Sequence, residues 1–379
     1  MKKKICLVLI LFLIILLLCG CFNYSDIEDT VVVSGLAVDM CDDGQYKVTA
    51  EIMSAGSDNE VAVETEQKSE YGFTVFEAIE NLKNSSGKSF NFRHCQVIFI
   101  SEQISNDGIS DIIDFAFHYS GFRLSMVLTV ISGNDAASVF ECEKLLYDTV
   151  SYGVFDMMKQ DQIANSKCPS AQIYMCLNSL ENKGKEMIIP MISVEEQEGE
   201  EKEYRFTGMS IYIDDVQTGT LSVEQSQLFM IFMGKTMNGE LTYNFDENYA
   251  SFEIKDLSVS REVEENLSVF DLNIDMIISV RQLPEGVDVS DDEQRTKLEE
   301  ELSARIKEEI NDLFLYVRDT YGSDIFGLGN QIYHVNPSAW AEISDEWKEL
   351  FKDVELNIDV SCKINDAGRS SKNIVPNRR

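Results

Sequence analysis

Two segments of the chain alternate between apolar and polar positions, with Ile277 the one exception. Over 270–280, Phe270, Leu272, Ile274, Met276, Ile278 and Val280 point one way and Asp271, Asn273, Asp275 and Ser279 the other. Over 354–364, Val354, Leu356, Ile358, Val360, Cys362 and Ile364 alternate with Glu355, Asn357, Asp359, Ser361 and Lys363. A period of two sustained this long predicts sheet strands with one face buried and one wet. Between them the period lengthens. Leu298, Leu302, Ile306, Ile310, Leu313 and Val317 form one stripe of a long helix over 291–321. Ser290 and Glu293 are spaced as a capping box, and Asp291, Asp292 and Glu293 suit the positive end of the helix dipole. The stripe is expected to cover the apolar face of the sheet.

The first half predicts shorter elements. A strand over 27–39 contains Gly35, turns at Cys41-Asp42-Asp43-Gly44 and returns through Tyr46, Val48, Ala50 and Ile52. A polar loop is expected over 54–70. Thr74 and Glu77 then open a helix carrying Phe76, Ile79 and Leu82 inward. A buried strand over 95–100, a helix from Ser110 to Phe117, a strand over 124–131 and a short helix capped by Asn134 or Asp135 follow. Past an acidic run, VEEQEGEEKE, strands over 206–213 and 218–221 pair around Asp214-Asp215, and Ser222 with Gln225 opens a helix that Gly234 closes. The pattern predicts an α+β fold: mixed, antiparallel-leaning sheets backed by helices, in two or three globular domains. Read this way, 1–20 is a signal peptide, 21–195 an N-terminal domain, 196–204 an acidic linker, 205–368 a C-terminal domain and 369–379 a polar tail. Adjacent unpaired carboxylates repel, so the linker is expected to be a solvated, extended joint.

The chain's start carries an address. Lys2, Lys3 and Lys4 precede an apolar run over 5–18, which ends in Leu18-Cys19-Gly20-Cys21. A basic start, a short apolar stretch and small residues before a cut make a secretory signal. A membrane-spanning helix would need roughly 20 apolar residues, and this run is shorter. The tetrad resembles a bacterial lipobox, with Leu18, Cys19 and Gly20 as the cleavage motif. Cys21 then becomes the first residue, with a diacylglyceryl thioether and an acylated amine. Two or more acyl chains hold a protein stably on a membrane.

Composition narrows the function. The 379 residues are 44% hydrophobic and 26% charged, with 5 prolines and 21 glycines, as in a globular body rather than a low-complexity one. A net charge of −34 is repelled by phosphate backbones, which excludes nucleic acid, and it favours a basic partner. Cys41, Cys95, Cys142, Cys168, Cys176 and Cys362 match no metal or redox spacing and are read as free structural thiols. No P-loop, nucleophile elbow or H-E-x-x-H is present. His94, His118 and His334 stand apart from each other, and Asp42-Asp43-Gly44 and Asp214-Asp215 read as turns. No catalytic, cofactor or metal residues are assigned.

The order of segments resembles the C subunit of nutrient germinant receptors, the Ger(x)C family of spore germination lipoproteins. Cys21-Phe22-Asn23-Tyr24-Ser25-Asp26-Ile27-Glu28 is similar to the family's opening run before a strand ending in Gly and Asp, here Gly35 to Asp39. Phe92-Arg93-His94-Cys95-Gln96-Val97-Ile98-Phe99-Ile100 resembles its His-containing strand, and Phe206-Thr207-Gly208-Met209-Ser210-Ile211-Tyr212 its hairpin. Met209, Ser210 and Cys95 depart from the family pattern. The most specific match is Ser323-Asp324-Ile325-Phe326-Gly327-Leu328-Gly329, followed by Pro337, Trp340 and Trp347. From the residues themselves, Gly322 can end the long helix, Asp324 can cap the next, and Gly327 and Gly329 permit close packing. Trp340 and Trp347 are read as core anchors, and Phe326 belongs to the same structural motif. The resemblance implies a non-enzymatic, lipid-anchored subunit on the extracytoplasmic face of the spore inner membrane. It implies two integral-membrane partners, an A-type and a B-type subunit, and a role in the response to a small-molecule germinant. A solute-binding lipoprotein of a transporter shares the anchor and size, but requires two parallel α/β lobes around a cleft.

Overall fold

Strand β1 (Thr30–Met40) and strand β2 (Tyr46–Ala55) form the expected antiparallel hairpin, turning at Gly44, whose φ of 82° suits a residue without a Cβ. The computed structural model describes residue 5 and residues 30–366, apart from 56–62, 134, 145, 161–166, 197–200, 237, 246–247 and 284–286. The lipobox residues Leu18, Cys19, Gly20 and Cys21, and the polar tail, lie outside the described residues.

Where a loop over 54–70 was expected, β3 (Val63–Gly72) pairs antiparallel with β2. This strand, VETEQKSEYG, lies at the sheet edge and shows no apolar face. Its inner contacts are polar: Thr65 Oγ1 donates to Asp148 O at 2.9 Å and Gln67 Nε2 to Phe140 O at 2.8 Å. A backbone ladder holds it, so the hydrophobic pattern is silent, and its charges discourage edge-to-edge pairing. Helix α1 (Val75–Ser86) starts at Thr74 as expected, but buries Val75, Ala78, Ile79 and Leu82. Phe76 faces outward, 53% exposed, a correction to its inward placement.

Beyond α1, β4 (Ser89–Asn91) and β5 (Val97–Ser101) lie parallel to β1, and β6 (Val127–Ser132) and β7 (Ile188–Glu196) continue the parallel run. Parallel neighbours require crossovers, supplied here by α2 (Glu102–Asp107), α3 (Ser110–His118), α4 (Val150–Gln160) and α5 (Ile173–Glu181). Covered strands read as apolar runs such as VIFIS and VLTVIS. Two buried acids on this sheet cap helix starts. Asp39 accepts from Ala136 N at 2.5 Å and Ala137 N at 3.2 Å, a role the sequence assigned to Asn134 or Asp135. Glu51 accepts from Val150 N at 2.8 Å and Ser151 N at 3.0 Å at the start of α4.

The acidic run is held in strands on both sides of 197–200, where an extended joint was expected. Its flanks are β7 and β8 (Lys202–Ile213), paired antiparallel with Glu195 opposite Glu203 and Glu196 opposite Lys202. The ladder and two cations offset the repulsion: Arg205 lies 3.4 Å from both Glu195 and Glu203, and Lys202 lies 2.5 Å from Glu141. With β9 (Val216–Leu221) the sheet runs β3-β2-β1-β5-β6-β7-β8-β9. Strand β8 serves two cores: Tyr212 packs in the first, Met209 and Ile211 in the second.

The second core forms around α6 (Val223–Phe232), opened by the Ser222–Gln225 capping box, and a four-stranded sheet. Strands β10 (Glu240–Phe245), β11 (Asn248–Val263) and β12 (Val269–Gln282) are antiparallel. Helix α7 (Asp292–Tyr321) buries its whole predicted stripe. Its cap is Asp291, whose Oδ1 accepts from Glu293 N at 3.0 Å and Gln294 N at 3.1 Å. Ser290 instead donates to Asp288 Oδ1 at 2.6 Å, so the expected Ser290 box does not form. The last strand, β13 (Glu355–Asp366), runs parallel to β12, because α7 carries the chain back across the sheet before β13 starts. The fold is α+β, with mixed sheets backed by helices.

Candidate functional site

The motif that follows α7 forms the joint between the two cores. Gly322 ends the helix at φ 63°, donating to Val317 O and Arg318 O at 3.1 Å. Ser323, buried, donates to Tyr212 O on β8 at 2.7 Å. The chain then turns into α8 (Leu328–Val335), α9 (Pro337–Ile343) and α10 (Trp347–Leu350).

Asp324 lies at the centre, 3% exposed. Its Oδ1 accepts from Gly327 N at 2.8 Å and Leu328 N at 3.1 Å. Its Oδ2 accepts from Gly329 N at 2.9 Å and from Trp347 Nε1 at 3.0 Å. One carboxylate thus caps α8 and fixes the indole of a later helix. Burial pushes this carboxyl above its ordinary range, and the four donors pull the other way. Phe326 fills the second core, its ring 4.5 Å from Phe232 and 5.5 Å from Phe314. Trp340 and Trp347 meet edge-on at 5.6 Å, both buried.

The segment before β7 plugs into this knot. Asn330 donates its N–H to Gly184 O, and Glu186 donates its N–H to Asp324 O, each at 2.9 Å. Gly184 and Gly329 are in backbone contact: a Cβ on Gly329 would lie 2.7 Å from Gly184 Cα and 2.6 Å from Trp347 Nε1. Gly327, at φ 73°, faces the Lys185 side chain. Glu186 Oε2 accepts from Asp214 N at 2.9 Å, and Lys348 reaches Glu186 at 3.5 Å and Asp214 at 2.6 Å. Lys185 is held down to about 8 by burial and by the neighbouring Lys235 and Arg261, against the pull of Asp324. The motif residues named from sequence are therefore brought together. Gly184, Lys185 and Glu186 were missed, since they approach the motif only through the tertiary fold. The arrangement fastens two cores and presents no nucleophile beside a base.

The remaining candidates are dispersed. His94 sits exposed in a one-turn helix, His118 is exposed on α3 with its Nδ1 3.0 Å from Asp114 O, and His334 lies on α8. Cys41, partly exposed, and the buried Cys95, Cys142, Cys176 and Cys362 are free thiols, and Cys168 is buried. Among the described residues no group of three or more His, Cys, Asp or Glu can hold a metal, and no helix is long and apolar enough to cross a membrane. A groove opens beside α1 and α3, and no local pattern in the sequence marks it.

Comparison with known proteins agrees with this architecture. Residues 23–194 match the spore germination protein N-terminal domain, and residues 207–368 the spore germination B3/GerAC-like C-terminal domain. The chain is 23% identical to spore germination protein B3 of Bacillus subtilis (strain 168), over 96% of this chain and 98% of that protein. Its fold is similar to the crystal structure of the GerBC protein, with a TM-score of 0.58 and 18% identity over 90% of this chain and 100% of the other. The first matched region ends within β7 and the second begins within β8. The chain belongs to the Ger(x)C family of spore germination proteins.

Proposed function

We propose that this chain is a non-enzymatic, lipid-anchored subunit of a nutrient germinant receptor, required for germination in response to nutrients. The observation that carries the reading is the ordered match of both spore germination domains, to 23–194 and 207–368. In this reading residues 1–20 are removed as a signal peptide, and Cys21 carries the lipid on the extracytoplasmic face of the spore inner membrane. The body, as domains 21–195 and 205–368, rests beside two integral-membrane subunits of the A and B types. The Asp324 knot keeps the two domains in one fixed arrangement, so both can present a continuous surface to those partners. The solute-binding alternative rests on two parallel lobes hinged over a cleft. The second sheet here has three antiparallel strands and the joint is pinned, so that alternative is set aside.

Spores carrying Cys21→Ala test the anchor. The expected result is loss of the protein from the membrane fraction and slowed nutrient germination; full attachment with normal germination would overturn the reading. Affinity capture from spore membranes tests the complex. It should recover two polytopic subunits, and capture without any polytopic protein counts against it.

A further inference from the structure

A groove of about 580 Å³ opens on the first half, between the start of α1 and the outer face of α3, far in sequence from the Asp324 knot. That volume lies in the range of small-molecule sites, roughly 300–1,000 Å³. Its walls are aromatic: Phe73, Phe76, Phe115, Tyr119 and Tyr46. Phe73 and Phe76 are 66% and 53% exposed, so two large apolar rings stand in water at the mouth. Behind them, Phe115 and Tyr119 are backed by Phe92 and Phe122 at ring distances of 5.0–5.8 Å, which makes the inner wall rigid.

Two carboxylates line the groove beside Thr74 and His118: Asp111 and Asp114, three apart on α3 and therefore on one face of the helix. Asp111 Oδ2 accepts from Tyr46 OH at 3.2 Å, and Asp114 Oδ1 lies 3.1 Å from His118 Nδ1. Neither acid has an ion pair with Lys or Arg among the described residues. The nearby Lys83 donates to Glu80 and to the OH of the wall residue Tyr119, each at 2.6 Å. An anionic ligand would be repelled by this pair and by the chain's net charge of −34. A neutral apolar ligand would leave the acids idle. Aromatic faces beside carboxylates that no described Lys or Arg neutralises are the chemistry that selects organic cations, since ring quadrupole and carboxylate attract the same charge.

We propose that this groove binds a small organic ammonium compound, its apolar body against Phe73, Phe76 and Phe115 and its charged nitrogen held by Asp111 and Asp114. The proposal is independent of the anchor and of the receptor partners.

Isothermal titration of the full chain with phenethylamine, at neutral pH and low salt, tests it. The uncharged 2-phenylethanol serves as the isosteric control. Phenethylamine should bind at least about tenfold more tightly than the alcohol. Asp111→Asn combined with Asp114→Asn should erase that preference, and Phe76→Ala should weaken binding about fivefold. These side chains are exposed, so unchanged thermal melts will show that the variants fold. Absence of binding at millimolar phenethylamine, equal affinity for amine and alcohol, or full affinity in the double variant would each overturn the proposal.

Discussion

Asp324 shows how much one side chain can organise. Three backbone N–H groups and one indole N–H converge on its two oxygens in a site closed to water. An amide in its place keeps the shape but presents an NH2 group to donors, leaving buried N–H groups unsatisfied. Asp324→Asn is therefore expected to cost about 3 kcal/mol in urea unfolding. Gly329→Ala, which drives a methyl into backbone and indole, should cost about 2 kcal/mol. Unchanged stability in both would remove the knot from the account. Lys185 contributes in the opposite sense. Its folded value near 8 lies below the ordinary 10.5. Between those two values the unfolded chain holds a proton that the folded chain does not. Stability from this group thus rises as pH climbs through that window, and the penalty is fully present below 8. Lys185→Met should be more stable than the parent at pH 7 by about 1–3 kcal/mol, with the gap closing towards pH 10. A gap independent of pH would refute the assignment. From local spacing Asp324 was legible as a cap for the next helix. Its bond to Trp347 and the approach of Gly184 to Gly329 were not, because neither follows a helical or strand period.

At the scale of elements, α7 does more than cover a sheet. Strand β13 is the edge of the second sheet, and its outward N–H groups meet side chains of the helix. Cys362 N donates to Ser303 Oγ at 2.9 Å, and Ile364 N donates to Glu299 Oε1 at 2.8 Å. Glu299 is buried and also pairs with Lys363 at 2.9 Å. Polar positions on the helix thereby close an edge that could otherwise pair with another chain. Ser303→Ala with Glu299→Ala should speed hydrogen exchange at Cys362 and Ile364 and raise aggregation, with the α7 core retained. Unaltered exchange at both amides would show that the edge is protected by something else. The apolar stripe of α7 and the alternation of β12 and β13 were plain in the sequence, since both report burial on a short period. The parallel pairing of β13 was not, because direction depends on where the intervening helices return the chain. Strand β3 was missed for a related reason: backbone bonds hold it, and these leave no trace in side-chain pattern.

The whole molecule carries 66 acidic residues against 32 basic ones. Self-repulsion on this scale works against the compact state, and added salt screens it. The melting temperature should therefore rise by a few degrees on going from low salt to about 0.3 M sodium chloride. A flat or falling curve would mean that ion pairs such as Lys348 with Asp214 outweigh the repulsion. The same scale separates what one dimension contains from what three add. Sequence by itself determined the α+β class, the strongly periodic elements and the family resemblance. It also supplied the residues of the closing motif, because each of these is written in local order and spacing. Only the tertiary structure decided that the flanks of the acidic run pair as β7 and β8, that β8 serves two cores, and that Asp39 and Glu51 cap helices remote in the chain. It also decided that Gly184 seats against Gly329, and that Phe73 and Phe76 line one groove with Asp111 and Asp114. Each of these depends on segments distant in sequence meeting at van der Waals or hydrogen-bond range. Periodicity records which side of an element is buried, not what buries it.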